Sequence, residues 1–175
     1  ARTAMVTFSK ATIGAMSCNP AIGGLGKGQL VKEIDALFGE MGLAIDDTGI
    51  QFRTLNSSKG PAVRSSRAQA DRIAYGKRMI AAVSSCPNLS LFESEAKRIK
   101  VEGNRIVGLW LEDDTLLLTN SLVITTGTFL NGVTHRGTEK KSEGRYGERP
   151  SVRLAEFLRT LDLEIGRLKT GTPCR

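Results

Sequence analysis

Residues 16–28 read Met16-Ser17-Cys18-Asn19-Pro20-Ala21-Ile22-Gly23-Gly24-Leu25-Gly26-Lys27-Gly28. Four glycines in six positions leave backbone amides uncovered by side chains, and apolar residues then recur at Leu30, Ile34, Leu37 and Met41, with Lys32, Glu33 and Asp35 between them. That spacing is helical, so a helix follows the glycines at once, and Gly42 is placed to end it. Ahead of the glycines, Ala4 to Phe8 is short and apolar and reads as a buried strand. Strand, glycine-rich turn and helix in this order mark an α/β fold. Such a turn can cradle an anion on its amides, or it can be a tight surface connection with no ligand. The two familiar phosphate motifs do not fit. A Walker A loop needs Gly at position 21 and Ser or Thr at position 28, where the chain has Ala21 and Gly28. A dinucleotide fingerprint starting at Gly24 and Gly26 needs a third glycine at the position held by Gln29.

Working outward, Gln51 to Leu55 is a strand candidate, and Asn56 to Gly60 with Pro61 is a polar break. Ser66 to Ser84 reads as a second helix, with Ala70, Ile73, Tyr75, Ile80 and Val83 on its apolar face. Leu89 to Phe92 follows as a strand. Lys97 to Glu102, Arg105 to Leu111 and Thr115 to Thr119 are joined by Gly103-Asn104 and Asp113-Asp114, which predicts a three-stranded antiparallel meander. Leu122 to Thr126 is apolar and β-branched and predicts a buried parallel strand ending at Gly127. Asn131 to Arg149 is polar and Gly-rich, Ser151 can cap a last helix carrying Leu154, Leu158 and Leu161, and Ile165 to Lys169 is a final strand candidate. The fold class expected is α/β: part of a Rossmann-like domain, its sheet mostly parallel, carrying the meander.

The chain has 175 residues, room for one domain with a real core. No run of about 18 apolar residues is present to span a membrane, and no signal peptide shows at Ala1-Arg2-Thr3-Ala4-Met5. The net charge of +7 permits a nucleic-acid partner without requiring one. Cys18, Cys86 and Cys174 are odd in number and far apart, with no C-x-x-C pair; neither a disulfide framework nor a zinc site is expected, and a reducing, cytoplasmic compartment fits. The chain starts on Ala1 and stops just after a turn-like Thr170-Gly171-Thr172-Pro173, so both ends are expected to be cut.

Two residue groups invite chemistry on their own. Cys18 sits in the glycine loop ahead of the helix; it is a small buried hydrophobe, or a nucleophile if amide donors and Lys27 favour its thiolate. Lys59, Arg64, Arg67 and Arg72 cluster around the expected start of the second helix. They can hold the phosphates of an anionic partner, or form a solvated helix face.

The segments MSCNPAIGGLGKGQLVKEIDAL, GIQFRTLNSSKGPAVRSSRAQADR, TTGTFLNG and GRLKTGTP, in this order, resemble the MnmG (GidA) family of tRNA uridine 5-carboxymethylaminomethyl modification enzymes. The resemblance spans residues 3 to 175. It implies a flavoprotein fold of the glutathione-reductase type that binds FAD, uses NADH and a folate one-carbon donor, and acts on the wobble uridine of tRNA with an MnmE-type GTPase, as a cytoplasmic homodimer. It also implies that residues 1–175 are an incomplete FAD-binding domain, with the meander at about 95–119 inside it. The family's first strand with the phosphate-binding fingerprint, its second reactive cysteine, its NADH region and its C-terminal domain are then absent.

By position against these motifs, Cys18 is implied to be catalytic, either adding to C6 of uracil or acting as general acid or base there. Asn19, Gly23, Gly24 and Gly26 are implied to lie along the flavin. Ala96, Thr126, Gly127 and Ser151 are implied to contact the dinucleotide; read from the residues alone, Ala96 is a strand residue and Ser151 a helix cap. Two other readings stand beside this one: a folate- and FAD-dependent tRNA uracil-5-methyltransferase of the same fold, and a truncated chain serving only as scaffold or interaction surface.

Overall fold

The computed structural model describes residues 1–171. The turn at Thr170 to Pro173 lies partly, and Cys174 wholly, outside the described residues. The chain divides into two compact units, one of residues 1–4 and 9–91, the other of residues 5–8 and those from Phe92 onward. Strands β1 (Thr3–Thr7) and β5 (Leu89–Glu93) run through both and pair with each other. The pair is parallel: Thr3 N–H donates to Asn88 O, and Ser94 N–H to Thr7 O, so both chains advance together.

The first unit holds a three-stranded antiparallel sheet in the order β2 (Ala21–Gly23), β4 (Ser65–Ala70), β3 (Gly49–Leu55). Helices α1 (Lys27–Ala36), α2 (Glu40–Thr48) and α3 (Arg72–Ser85) complete it. Its core is lean: three of the five buried residues Ala44, Ile45, Ala68, Ala70 and Tyr75 are alanines, with Met16, Ile22 and Met79 packed around them. Burial pushes the Tyr75 phenol above its ordinary pKa.

Two expectations fail here for identifiable reasons. The helix after the glycines does not run on to Gly42. Phe38 adopts φ 62, its N–H donates to Asp35 O at 2.9 Å, and the Gly39 N–H donates to Ile34 O at 2.9 Å. These two bonds form a Schellman close, with a phenylalanine where glycine is usual. Gly42 therefore lies inside α2. Nor is Ser66 to Ala70 helical. Its Arg67-Ala68-Gln69-Ala70 alternation is that of a strand, and β4 is held by ladders on both sides. The helix starts only at Arg72, where Asp71 Oδ1 accepts from the Ile73 and Ala74 N–H groups at 2.9 Å each. Asp71→Ala is expected to lower the unfolding free energy by about 1 kcal/mol. A denaturant titration reads this, and an unchanged midpoint would mean that water serves those two amides equally well.

The second unit is built on the meander β6 (Ala96–Glu102), β7 (Arg105–Leu111) and β8 (Leu116–Leu118), with α4 (Val152–Arg159) packed on it. Ile99, Leu109 and Leu111 from the strands and Leu154 and Leu158 from the helix form its core. The α/β fold with a parallel strand pair and an antiparallel meander is thus present. Leu122 to Thr126 is not a strand: Leu122 packs on the core, but Val123 is 82% exposed, and no ladder partner exists for the segment among the described residues. A buried parallel strand needs partners at both edges and cover on both faces. Ile165 to Lys169 likewise forms no strand, with Leu168 fully exposed. The polar stretch before α4 holds a hairpin that was not expected, β9 (Val133–Arg136) and β10 (Glu139–Ser142).

Candidate functional site

The glycine loop is fixed at both ends to β4. Asn19 Oδ1 accepts from Gln69 Nε2 at 3.4 Å, and the Ala70 N–H donates to Pro20 O at 2.7 Å. β2 then pairs Ala21, Ile22 and Gly23 with Gln69, Ala68 and Arg67. Beyond it the Gly24 N–H donates to Ser66 O at 2.8 Å, and the Ser65 hydroxyl donates to Gly24 O. The same carbonyl accepts the Lys27 and Gly28 N–H groups, at 3.1 and 2.8 Å. Those two helix-opening amides are therefore satisfied within the loop and are not offered to an anion. The glycines do different jobs. At Gly23, φ is 93 and a Cβ would stand 2.2 Å from Ser66 O, so the close pairing of β2 with β4 excludes any side chain. At Gly24 and Gly26, with φ 103 and 73, a Cβ would meet nothing within 4 Å. Their bare Cα atoms leave room for a flat ligand to approach.

Cys18 stands one residue before this anchored segment and is exposed. The reading as a small buried hydrophobe is therefore set aside. A pocket of about 320 Å3 opens beneath the loop, its apolar walls coming from Ile22, Val31, Ile45, Phe52 and Ala68. A second pocket of about 320 Å3 is lined by Met16 and Ser17, just ahead of Cys18, and by Arg72, Ile73 and Lys77 of α3.

The four cationic residues expected at the start of a helix sit on different elements. Lys59 is exposed in the loop after β3. Arg64 precedes β4 and its Nε donates to Ser57 O at 3.0 Å. Arg67 lies within β4 and adjoins the pocket beneath the loop, whereas Arg72 opens α3 and adjoins the second pocket.

In the second unit, Thr126, Gly127 and Ser151 come together through one short hydrogen-bonded path. The Phe129 N–H donates to Thr126 O at 3.0 Å, the Ser151 N–H donates to Phe129 O at 2.8 Å, and the Asn131 N–H donates to Ser151 O at 3.0 Å. Ser151 is buried and precedes α4, but its hydroxyl does not cap the helix. Gly127, with φ 54, has open space where a Cβ would be. Ala96 opens β6, paired with Leu111 and packed on the core.

The sequence reading missed the ion network beside Ser151. Arg149 contacts Glu112 at 2.7 and 3.0 Å, Arg153 contacts it at 3.3 Å, and both approach the buried Glu95 at 4.0 and 3.9 Å. The hydrogen bond from Arg149 holds the Glu112 carboxyl below its ordinary pKa. Arg149 also lies over the Phe8 ring at 4.9 Å, and Phe8 packs on Phe129 at 5.8 Å. The network thus ties both ends of the segment that carries Phe129 and Ser151. Arg149 and Arg153 flank Ser151 four positions apart; with the helix start known, that spacing was the available signal.

The family model for glucose inhibited division protein A matches residues 1–175. GidA of Aquifex aeolicus superposes with a TM-score of 0.91 at 49% identity, over 98% of this chain and 28% of that one. A GidA-related protein from Thermus thermophilus has a TM-score of 0.60 at 19% identity, over 92% of this chain and 58% of that one, a likeness of fold. The chain thus spans just over a quarter of the Aquifex protein. With the family match running end to end and the identity high across it, this chain belongs to the glucose inhibited division protein A family.

Proposed function

We propose that the chain is part of an FAD-dependent enzyme that modifies tRNA at C5 of the wobble uridine, adding an aminomethyl-type group, and that Cys18 carries its chemistry. The observation behind this is an exposed thiol set one residue ahead of a loop fixed at both ends to a central strand, in a chain of this family. A rigid, accessible thiol suits attack on an electrophilic ring carbon. Uracil C6 is conjugated to a carbonyl; as the thiolate bonds to it, the electron pair moves through C5 toward that carbonyl and makes C5 nucleophilic. C5 then bonds to the electrophilic one-carbon unit that the folate donor supplies, and loss of the C5 proton expels the thiolate and restores the C5–C6 double bond. Proton transfer by Cys18 at the same place is the other role open to it.

Within the first unit, Gly24 and Gly26 present bare Cα faces with open space beyond them, which fits the edge of a flavin; within the second, Gly127 does the same. On this reading Asn19, Gly23, Gly24 and Gly26 hold the flavin edge, and Ala96, Thr126, Gly127 and Ser151 hold the rest of the dinucleotide. The backbone N–H and C=O of Ser151 are both used within the fold. Bound FAD supplies hydride transfer. NADH as reductant, a folate one-carbon donor, an MnmE-type GTPase partner, a homodimeric whole protein and a cytoplasmic setting complete the proposal. So do tRNA contacts from Lys59, Arg64, Arg67 and Arg72. Among the described residues no helix is long and apolar enough to cross a membrane.

Deleting the gene and analysing the nucleosides of bulk tRNA tests the reading. Loss of the C5 substituent at the wobble position, restored by the whole gene, is expected. An unaltered nucleoside profile would sink it.

A further inference from the structure

The register of the first unit's sheet places two guanidinium groups side by side. On β4, Arg67 stands directly opposite Arg53 of β3 on one side and Gly23 of β2 on the other. Residues opposite one another in an antiparallel ladder project to the same face, with Cβ atoms about 4.5–5.5 Å apart. Two positions along, the same face carries Gln69 between Ala21 and Gln51. Asn19, the residue after Cys18, bonds to that Gln69. The intervening row, Ile22, Ala68 and Phe52, projects to the other face, where Ala68 and Ile22 join the core. The arginines thus alternate with the core-facing row, and both adjoin the pocket whose walls include Ile22, Ile45 and Ala68.

Like charges directly opposite on a sheet repel and destabilise it unless something neutralises them. Among the described residues neither Arg53 nor Arg67 forms an ion pair, although ten such contacts occur elsewhere in the chain. Arg53 is exposed and Arg67 half-buried. The next row of the sheet on this side carries amides, those of Gln51 and Gln69, with Asn19 bonded to the latter; Asp46 lines the pocket that Arg53 and Arg67 adjoin but forms no ion pair with either. Over β2 this side offers only Ala21 and Gly23, so a ligand can lie close to the sheet there. A guanidinium pair followed along the strand by a row of amides, about 7 Å away, matches a phosphate and the nucleoside attached to it. Arginine takes phosphate oxygens, and asparagine and glutamine take sugar and base edges.

We propose that Arg53 and Arg67 together clamp one backbone phosphate of the RNA strand whose uridine is presented to Cys18. This rests on the tRNA reading above and adds the residue pair and the sheet face that hold the strand. The like-charge register is kept because the bound phosphate neutralises it.

The test is Arg53→Gln/Arg67→Gln in the whole protein, with tRNA affinity measured across a salt series and FAD content measured on the same preparation. Weaker binding is expected, with the slope of log K against log salt reduced by about 0.7–0.9, the release of one phosphate's counterions, and wild-type FAD content. Thermal melting of Arg53→Gln alone guards against misfolding. Without RNA it should melt no lower than wild type, because a like-charge pair has been relieved, and added tRNA should raise its midpoint less than that of wild type. A wild-type salt slope in the double variant overturns the clamp and leaves the tRNA reading intact. Loss of FAD with tRNA binding unchanged also overturns it and assigns the pair to the cofactor's pyrophosphate. Failure of the unaltered protein to bind tRNA at all removes the tRNA reading and the clamp with it.

Discussion

Cys18→Ser in the whole protein is expected to reduce wobble-uridine modification by about three orders of magnitude or more, with FAD content and melting temperature close to wild type. The asymmetry follows from where the thiol sits. Cys18 is exposed, outside every strand and helix, and the anchoring of its loop runs through Asn19 and Pro20 rather than through its own side chain. A hydroxyl replaces a thiol of similar size there at little cost in packing. Chemically the exchange is severe, because at neutral pH serine is a far weaker nucleophile and acid than cysteine, and removing an enzyme's nucleophile costs rate in factors of thousands to millions. Nucleosides of tRNA from cells carrying only the variant give the readout. Normal modification would remove Cys18 from the chemistry. Loss of FAD together with modification would make it a structural part of the loop.

What the sequence conveyed, and what it concealed, separates along physical lines. The meander was legible because its signals are local: alternation over a few residues, and turn chemistry at Gly103-Asn104 and Asp113-Asp114. β4 was not, because Ser-Ser-Arg-Ala-Gln-Ala carries helix-favouring residues, and its strand state is imposed by ladders to β2 and β3, which are distant in sequence. That one error also hid the arginine pair. Opposition of Arg53 and Arg67 is a statement about register, and register does not exist until both strands are known. The end of α1 was concealed differently: Phe38 takes a positive φ that composition assigns to glycine, and Gly42 stood four residues further on as a decoy. Cys18 was found by family resemblance, and its exposure in the structure is the independent physical observation in its favour. The Arg149–Glu112 network, which joins a meander turn to the residues before α4, left as its one local trace the spacing of Arg149 and Arg153, and that is readable only once the helix start is known.

The glycines of the loop allow structural and ligand roles to be told apart by a paired substitution. Gly23→Ala is expected to destabilise the fold by roughly 4 kcal/mol or more, at the severe end of single substitutions. Two costs add there. The φ of 93 is one that side-chain-bearing residues rarely adopt, worth about 1–3 kcal/mol. The new Cβ would also stand 2.2 Å from Ser66 O, a backbone atom that cannot swing aside, so β2 must part from β4 and surrender its ladder. Gly24→Ala incurs only the first cost, since its Cβ meets nothing within 4 Å, and the protein should remain folded with a stability loss of about 1–3 kcal/mol. If the open space at Gly24 is where the flavin lies, the added methyl intrudes on it, and Gly24→Ala should lose most of its FAD while staying folded. Denaturant titration and the visible flavin spectrum after desalting, on the same two variants, give the comparison. A Gly24→Ala protein that keeps full FAD places the flavin elsewhere. A Gly23→Ala protein as stable as wild type would mean that β2 can separate from β4 freely, and with it would go the argument that the loop holds Cys18 in a fixed position.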